Sequence, residues 1–101
     1  AMSVVTWGEL VLGAEKSRER SQTLAKITKL RTLVPVLELS AAVGDRYGAI
    51  RAELESAGRT IGPNDLWIAA HAQTLGIALV TNNTGEFARV GGLTLEDWTT
   101  P

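Results

Sequence analysis

Apolar residues recur every three or four positions in three stretches of the chain, which is the spacing of an amphipathic helix. The first stretch follows Thr6, a candidate N-cap with Glu9 three residues later, as in a capping box. The second ends at Pro35, and the third begins after Ser40 and ends at Gly58. The inward positions predicted for these helices are Trp7, Leu10, Val11 and Ala14; Leu24, Ile27, Leu30 and Leu33 or Val34; and Val43, Tyr47, Ile50 and Leu54.

A fourth helix is predicted from Ile61 to Leu75, because Gly62-Pro63 joins a stop signal to a residue suited to the first helical turn. Short β-prone runs between the helices predict strands at 1–5, 36–39, 77–80 and 93–95. The run at 77–80 is continuously apolar, which is typical of a strand buried on both faces. Strands alternating with helices predict an α/β fold, with a short parallel sheet and helices on both faces, in one domain over residues 1–101.

Composition limits the compartment and the chemistry. The chain has no Cys, which excludes disulfides and thiolate metal sites and favours a reducing cytoplasm. No apolar run is long enough to cross a bilayer, so we expect no membrane partner. The net charge is only −1, yet six basic residues lie between Lys16 and Arg31 against one acid. This stretch is either a surface for an anionic partner or the solvated face of a helix.

Carboxylates are the chemical groups that stand out. Asp65 lies in the first turn of the fourth helix, where the helix dipole favours a negative charge, and Glu9 and Glu86 lie beside other strand–helix junctions. Oxygen-only sites suit hard cations such as Mg²⁺ or Mn²⁺, which can activate water. A structural interpretation stands beside this one, since Glu9 and Asp65 could simply cap helices. His71 lies on a different helical face from Asp65 and is interpreted as structural or interfacial.

Several motifs in order resemble those of the PIN-domain VapC toxins. Val5–Leu10, which contains Glu9, resembles the second acidic motif of that family. Ile61–Ala69 resembles the third, and Val80–Phe87 with Val90–Trp98 resembles the end of the domain. Over essentially all its length, the chain is identified as a member of this family of ribonuclease toxins from type II toxin–antitoxin systems.

The resemblance implies a PIN-like three-layer α/β/α fold and an endoribonuclease that cleaves RNA with a water activated by Mg²⁺ or Mn²⁺. Glu9 and Asp65 would be catalytic and metal-binding residues, with Glu86 as the fourth acidic position. Thr81 and Asn83 would orient water or ligand. The implied partners are an RNA substrate, with tRNA as a candidate, a VapB-like antitoxin, and a second copy of the chain in a homodimer.

One motif of the family has no counterpart here, the Asp on a leading strand before the segment that matches Ala1. We therefore expect an N-terminally truncated domain, impaired in activity, whose exposed sheet edges favour dimerisation or strand exchange. Gly85 also stands where close relatives often carry a basic residue. Two alternatives stay open: a catalytically inactive PIN-like module for dimerisation or antitoxin binding, and a non-nuclease α/β domain whose carboxylates only cap helices.

Overall fold

The computed structural model describes residues 1–80 and 84–96, and its contacts divide the chain into two compact units, Ala1–Leu39 and Ser40–Pro101. The first unit contains β1 (Met2–Ser3), α1 (Val4–Glu15), α2 (Arg20–Leu33) and β2 (Val36–Leu37). The second contains α3 (Ala41–Ser56), α4 (Pro63–Leu75), β3 (Leu79–Val80), α5 (Thr84–Phe87) and β4 (Leu95–Glu96). In the described residues, β1 pairs with β2 and β3 with β4, and both pairs are parallel. The predicted α/β class with parallel strands is confirmed.

The first helix begins earlier than predicted. Ser3 ends β1 and caps α1 directly, because its Oγ accepts a hydrogen bond from the backbone N–H of Val5 at 3.1 Å. The prediction of Thr6 as the N-cap and Glu9 as its capping partner is therefore wrong. Ser3 offers the same hydroxyl chemistry three residues earlier, at the point where the strand stops. Glu9 consequently lies beyond the first turn of α1 and does not cap the helix.

The second helix packs along only half of its predicted stripe. In α2, Leu24 and Ile27 are half-buried, whereas Leu30 is 39% and Leu33 is 74% exposed. The prediction that Leu30 points inward is wrong, and of the alternatives Leu33 and Val34 it is Val34 that is half-buried. Within residues 1–39, α1 is the helix that packs against α2, and Ala14 of α1 is the only fully buried residue. Leu30 and Leu33 therefore remain exposed although they continue the apolar stripe of α2.

The second unit is built on the packing of α3 against α4. Ser40 caps α3 as predicted, with its Oγ 3.3 Å from the backbone nitrogen of Val43, and Pro63 occupies the first turn of α4. Gly58 and Gly76 follow the two helices with φ of +67° and +66°, a conformation that favours glycine. The side chains buried between and around these helices are Val43, Ile50, Leu54, Leu66, Ile68, Ala69 and Ala70.

The strands of the second unit are shorter than their apolar runs. β3 joins the ladder only at Leu79, which pairs with Leu95. Ile77 is 44% exposed, so the prediction of a strand buried on both faces from that residue onward is wrong. Its backbone N–H instead bonds the carbonyl of Ala72, closing the end of α4. Trp98, predicted to pack near the end of the chain, lies outside the described residues.

Candidate active site

Asp65 lies in the first turn of α4 and is half-buried. The helix starts from Gly62, an N-cap with no side chain to bond the first turn, and Pro63 follows it. The N–H groups of a first helical turn point out of the helix end and favour a negative charge there. The prediction of a carboxylate at the start of this helix is confirmed, and its surroundings suit an anionic group.

Glu86 reaches the same helix start from α5. Its Oε1 accepts a hydrogen bond from the backbone N–H of Gly62 at 2.6 Å. In a capping box, the amide of the N-cap residue is bound by a side chain three positions later in the same helix. Here the carboxylate comes from a residue 24 positions away along the chain. The structure thus brings two of the predicted acidic residues, Asp65 and Glu86, to the first turn of one helix.

Arg89 is a residue of this region that the sequence patterns did not single out. Its Nη1 donates a hydrogen bond to the backbone carbonyl of Thr60 at 2.7 Å. Glu86 and Arg89 therefore bind the loop before α4 on either side of Ile61, which is 8% exposed. The available signal was the opposite charge of Glu86 and Arg89 three positions apart, a spacing that places two side chains on one face of a helical turn.

Glu9 belongs to the first unit, where it lies on α1 with its residue surface exposed. Since Ser3 caps α1, helix capping does not account for Glu9. Its carboxylate is accessible to a solvent ion or a ligand. The two auxiliary residues, Thr81 and Asn83, lie outside the described residues.

Asp65 and Glu86 offer hard carboxylate oxygens to a metal ion at the start of α4. Among residues 1–80 and 84–96, no group of three or more His, Cys, Asp or Glu side chains is placed to hold one ion. Mg²⁺ does not need such a group, because it keeps several waters and commonly takes one or two protein carboxylates. The donor chemistry of Asp65 fits a hydrated Mg²⁺ rather than an ion enclosed by protein ligands.

Comparison with known proteins decides the family. The PIN domain family matches residues 1–93. The chain belongs to the PIN-domain family, among the VapC proteins. It is 50% identical over 97 residues to the tRNA(fMet)-specific endonuclease VapC of Shigella flexneri. The aligned residues cover 96% of this chain and 74% of that protein.

Two solved structures resemble this PIN domain closely. One is VapBC2 from Rickettsia felis bound to a DNA fragment from their promoter, with a TM-score of 0.92, 40% identity, and coverage of 97% of this chain and 74% of that chain. The other is VapBC-1 from nontypeable Haemophilus influenzae, with a TM-score of 0.92, 40% identity, and coverage of 98% and 74%. The predicted PIN-like fold and the resemblance to VapC are confirmed.

Most of the basic stretch of this PIN domain, from Lys16 to Arg31, lies on α2. No residue of that helix is buried. Arg20 binds Glu15 through two hydrogen bonds of 2.7 and 2.9 Å, and the guanidinium of Arg31 lies 5.2 Å from the ring centre of Trp7. These contacts agree with the solvated-face interpretation of the stretch.

No helix in the described ranges combines the length and apolar character needed to cross a bilayer.

His71 is enclosed within the second unit of the PIN domain. It is 4% exposed, and its Nδ1 has no hydrogen-bond partner in the part of the chain that the structure describes. Burial lowers the pKa of the His71 imidazole, because the charged form loses its hydration. The structural interpretation of this residue agrees with its burial.

Acidification is expected to weaken this domain through His71. Below a pH of about 6.5, the unfolded chain binds a proton at His71 that the folded chain resists. The free energy of unfolding therefore falls as the pH drops below that value. His71→Leu removes the only histidine of the chain. Urea unfolding at pH 7.5 and 5.5 should show a smaller pH effect in this variant than in the wild type, and an equal effect in both would contradict the prediction.

Proposed function

We propose that this chain is an endoribonuclease that depends on Mg²⁺, with Mn²⁺ as the alternative cofactor. The observation that carries the proposal is the carboxylate of Asp65, half-buried in the first turn of α4. Its relatives supply the reaction class, since proteins up to 50% identical are named as VapC ribonucleases and tRNA endonucleases. An RNA substrate, with tRNA as the first to test, would place the activity in the cytoplasm.

The resemblance of the motifs to those of VapC proteins supports Asp65, Glu9 and Glu86 as the proposed catalytic and metal-binding residues. In the second unit, Asp65 lies at a helix end that favours negative charge, and in the first unit the Glu9 residue is exposed. Glu86 is the third candidate ligand, and its Oε1 also binds the amide of Gly62. When bound, Mg²⁺ supplies an activated water and stabilises charge on the phosphodiester. Thr81 and Asn83 are proposed to orient water or ligand.

Chelation is expected to stop RNA cleavage. The assay uses labelled tRNA with the protein in excess, so that slow cleavage is also detected. EDTA should reduce cleavage to background, and excess Mg²⁺ or Mn²⁺ should restore it, since carboxylates alone cannot activate water as a bound metal does. Cleavage that persists in EDTA would contradict a metal-dependent mechanism.

We also propose that the chain binds a VapB-like antitoxin and forms a homodimer. The antitoxin proposal is supported by the solved structures that resemble the chain, which are VapBC assemblies. The homodimer is supported by large apolar side chains left exposed on the first unit, Leu12 at 59% and Leu33 at 74%. Antitoxin binding together with an absence of RNA cleavage in the presence of Mg²⁺ or Mn²⁺ would favour the alternative, a catalytically inactive binding module.

A further inference from the structure

The loop between α3 and α4 is held from outside by two charged side chains. Glu86 Oε1 accepts from the N–H of Gly62 at 2.6 Å, and Arg89 Nη1 donates to the carbonyl of Thr60 at 2.7 Å. The two bonds use opposite polarities of the same short stretch of backbone, so neither side chain can replace the other. We refer to this pair of bonds as the loop clamp.

The loop clamp is anchored in the core of the second unit. Glu86 and Arg89 are interleaved with Phe87 and Val90, which are 3% and 5% exposed. Backbone bonds from Arg89 to Glu86 and from Val90 to Phe87, of 3.2 and 3.0 Å, keep these residues in one tight turn. The apolar side chains therefore fix the turn, and the charged side chains of the same turn reach the loop. Bonds to charged groups are stronger than those between neutral groups, which suits them to holding backbone.

The clamped loop determines where α4 begins. Gly62 is the N-cap, and its carbonyl accepts the first helical bond from Leu66 at 2.9 Å. A glycine N-cap has no side chain to restrain it and a wide choice of backbone angles. The bonds from Glu86 and Arg89 supply that restraint. Asp65 lies within the turn that this first bond closes, so the direction of its carboxylate depends on the loop clamp.

We propose that Arg89 is a positioning residue, which together with Glu86 orients the first turn of α4 and thereby the carboxylate of Asp65. The inference rests on the proposed function for its catalytic consequence, but the loop clamp itself does not depend on any activity. Arg89 acts through the carbonyl of Thr60 and not by touching the RNA.

The chain offers a matched control in Arg46. Arg46 and Arg89 line the same cavity of about 130 Å³ in the second unit, so both contribute positive charge to one surface. Arg89 bonds the loop through its guanidinium, whereas the side chain of Arg46, on α3, makes no hydrogen bond within the residues that the structure describes. A difference between Arg46→Ala and Arg89→Ala thus separates the loop clamp from the charge of the cavity.

The experiment compares Arg89→Ala, Arg89→Lys and Arg46→Ala by amide hydrogen exchange and by RNA cleavage in Mg²⁺. In Arg89→Ala, the hydrogen-bonded amides of Gly62 and Leu66 should exchange about tenfold faster, as expected for the loss of a hydrogen bond to a charged group. The kcat for cleavage should fall by about 10- to 100-fold, the usual effect of removing a group that orients a metal ligand. The KM for RNA should stay within about twofold, because uniform binding is not lost.

The two other variants sharpen the result. Arg89→Lys should recover part of both losses, because an ammonium group can still donate one bond to the carbonyl of Thr60. Arg46→Ala should change neither exchange nor kcat. Equal effects of Arg46→Ala and Arg89→Ala, or a raised KM with an unchanged kcat in Arg89→Ala, would overturn the proposal in favour of direct RNA contact.

Failure of the proposed function gives a different result from failure of the loop clamp. If the wild type cleaves no RNA, the nuclease proposal fails, whereas faster exchange of the Gly62 and Leu66 amides in Arg89→Ala would still support the clamp. If the wild type cleaves RNA and these two amides exchange at the same rate in Arg89→Ala, the clamp proposal is wrong and the nuclease proposal stands.

Discussion

Asp65→Asn is expected to lower the Mg²⁺-dependent cleavage of RNA by at least about 100-fold, the upper range seen when support for a metal ligand is removed. The amide keeps the shape of the side chain but removes the negative charge that a hard cation requires. The cost to folding should be small, because a charge in the first turn of a helix contributes only about 0.3–1 kcal/mol. Activity and stability should therefore separate in this variant.

The measurement pairs cleavage under excess protein with a calorimetric Mg²⁺ titration. Asp45→Asn is the control, since Asp45 is an exposed acid on α3 of the same unit and its loss changes the net charge equally. The control should cleave RNA and bind Mg²⁺ as the wild type does. Unchanged metal binding in Asp65→Asn would mean that the carboxylate stabilises the start of the helix and does not bind the metal.

Leu66→Ala is expected to reduce the free energy of unfolding by about 2–5 kcal/mol, the range for truncating a fully enclosed leucine. Leu66 is 3% exposed on α4, the helix that packs against α3. Small domains are stable by only about 5–15 kcal/mol, so the loss is a large share of the total. The cavity left behind cannot close easily, because Ala69 and Ala70, which follow Leu66 on the same face of the helix, are already fully buried and their methyl groups cannot rotate into it.

Leu75→Ala is the matched control for this variant. It removes the same atoms from the same helix at a position that is 47% exposed, and should cost less than about 1 kcal/mol. Urea unfolding, followed by circular dichroism, compares the two midpoints. Similar losses at Leu66 and Leu75 would show that the packing of α3 on α4 does not stabilise the second unit.

These two predictions concern neighbouring residues of one helix, so the position of the candidate metal-binding carboxylate depends on the packing of the core beside it. Asp65 projects from the first turn of α4, while Leu66, the next residue, is buried in the core. A variant that loosens the core contact therefore also frees the turn that carries the carboxylate. We expect losses of stability at Leu66 to lower RNA cleavage as well, whereas losses of charge at Asp65 leave the core unchanged.

Features of the second unit that depend on a few neighbouring residues could be predicted from sequence. Pro63 opens α4, Gly58 and Gly76 close helices, and Ser40 caps α3, because each effect acts within one helical turn. The acidic group at the start of α4 was predictable for the same reason. Local chemistry of this kind needs no knowledge of what the helix packs against.

Where two residues carried the same local signal, only the structure showed which of them acts. Ser3 and Thr6 both offer a capping hydroxyl, and only the end of β1 decides for Ser3. The periodicity of α2 likewise marks Leu30, and Leu33 or Val34, as inward, but Leu30 and Leu33 are exposed and Val34 is half-buried. A pattern shows which face of a helix is apolar, not how much of that face a neighbour covers.

By itself, the sequence determined the four longer helices, the acidic helix start at Asp65 and the PIN-domain family, because these depend on adjacent residues and ordered motifs. Only the tertiary structure decided that Glu86 binds Gly62 and Arg89 binds Thr60 across 24 and 29 positions of the chain. A hydrogen bond joins atoms about 3 Å apart in space, and the number of residues between two groups along the chain does not determine that distance. The residues that hold the candidate site in place are therefore visible only in the folded chain.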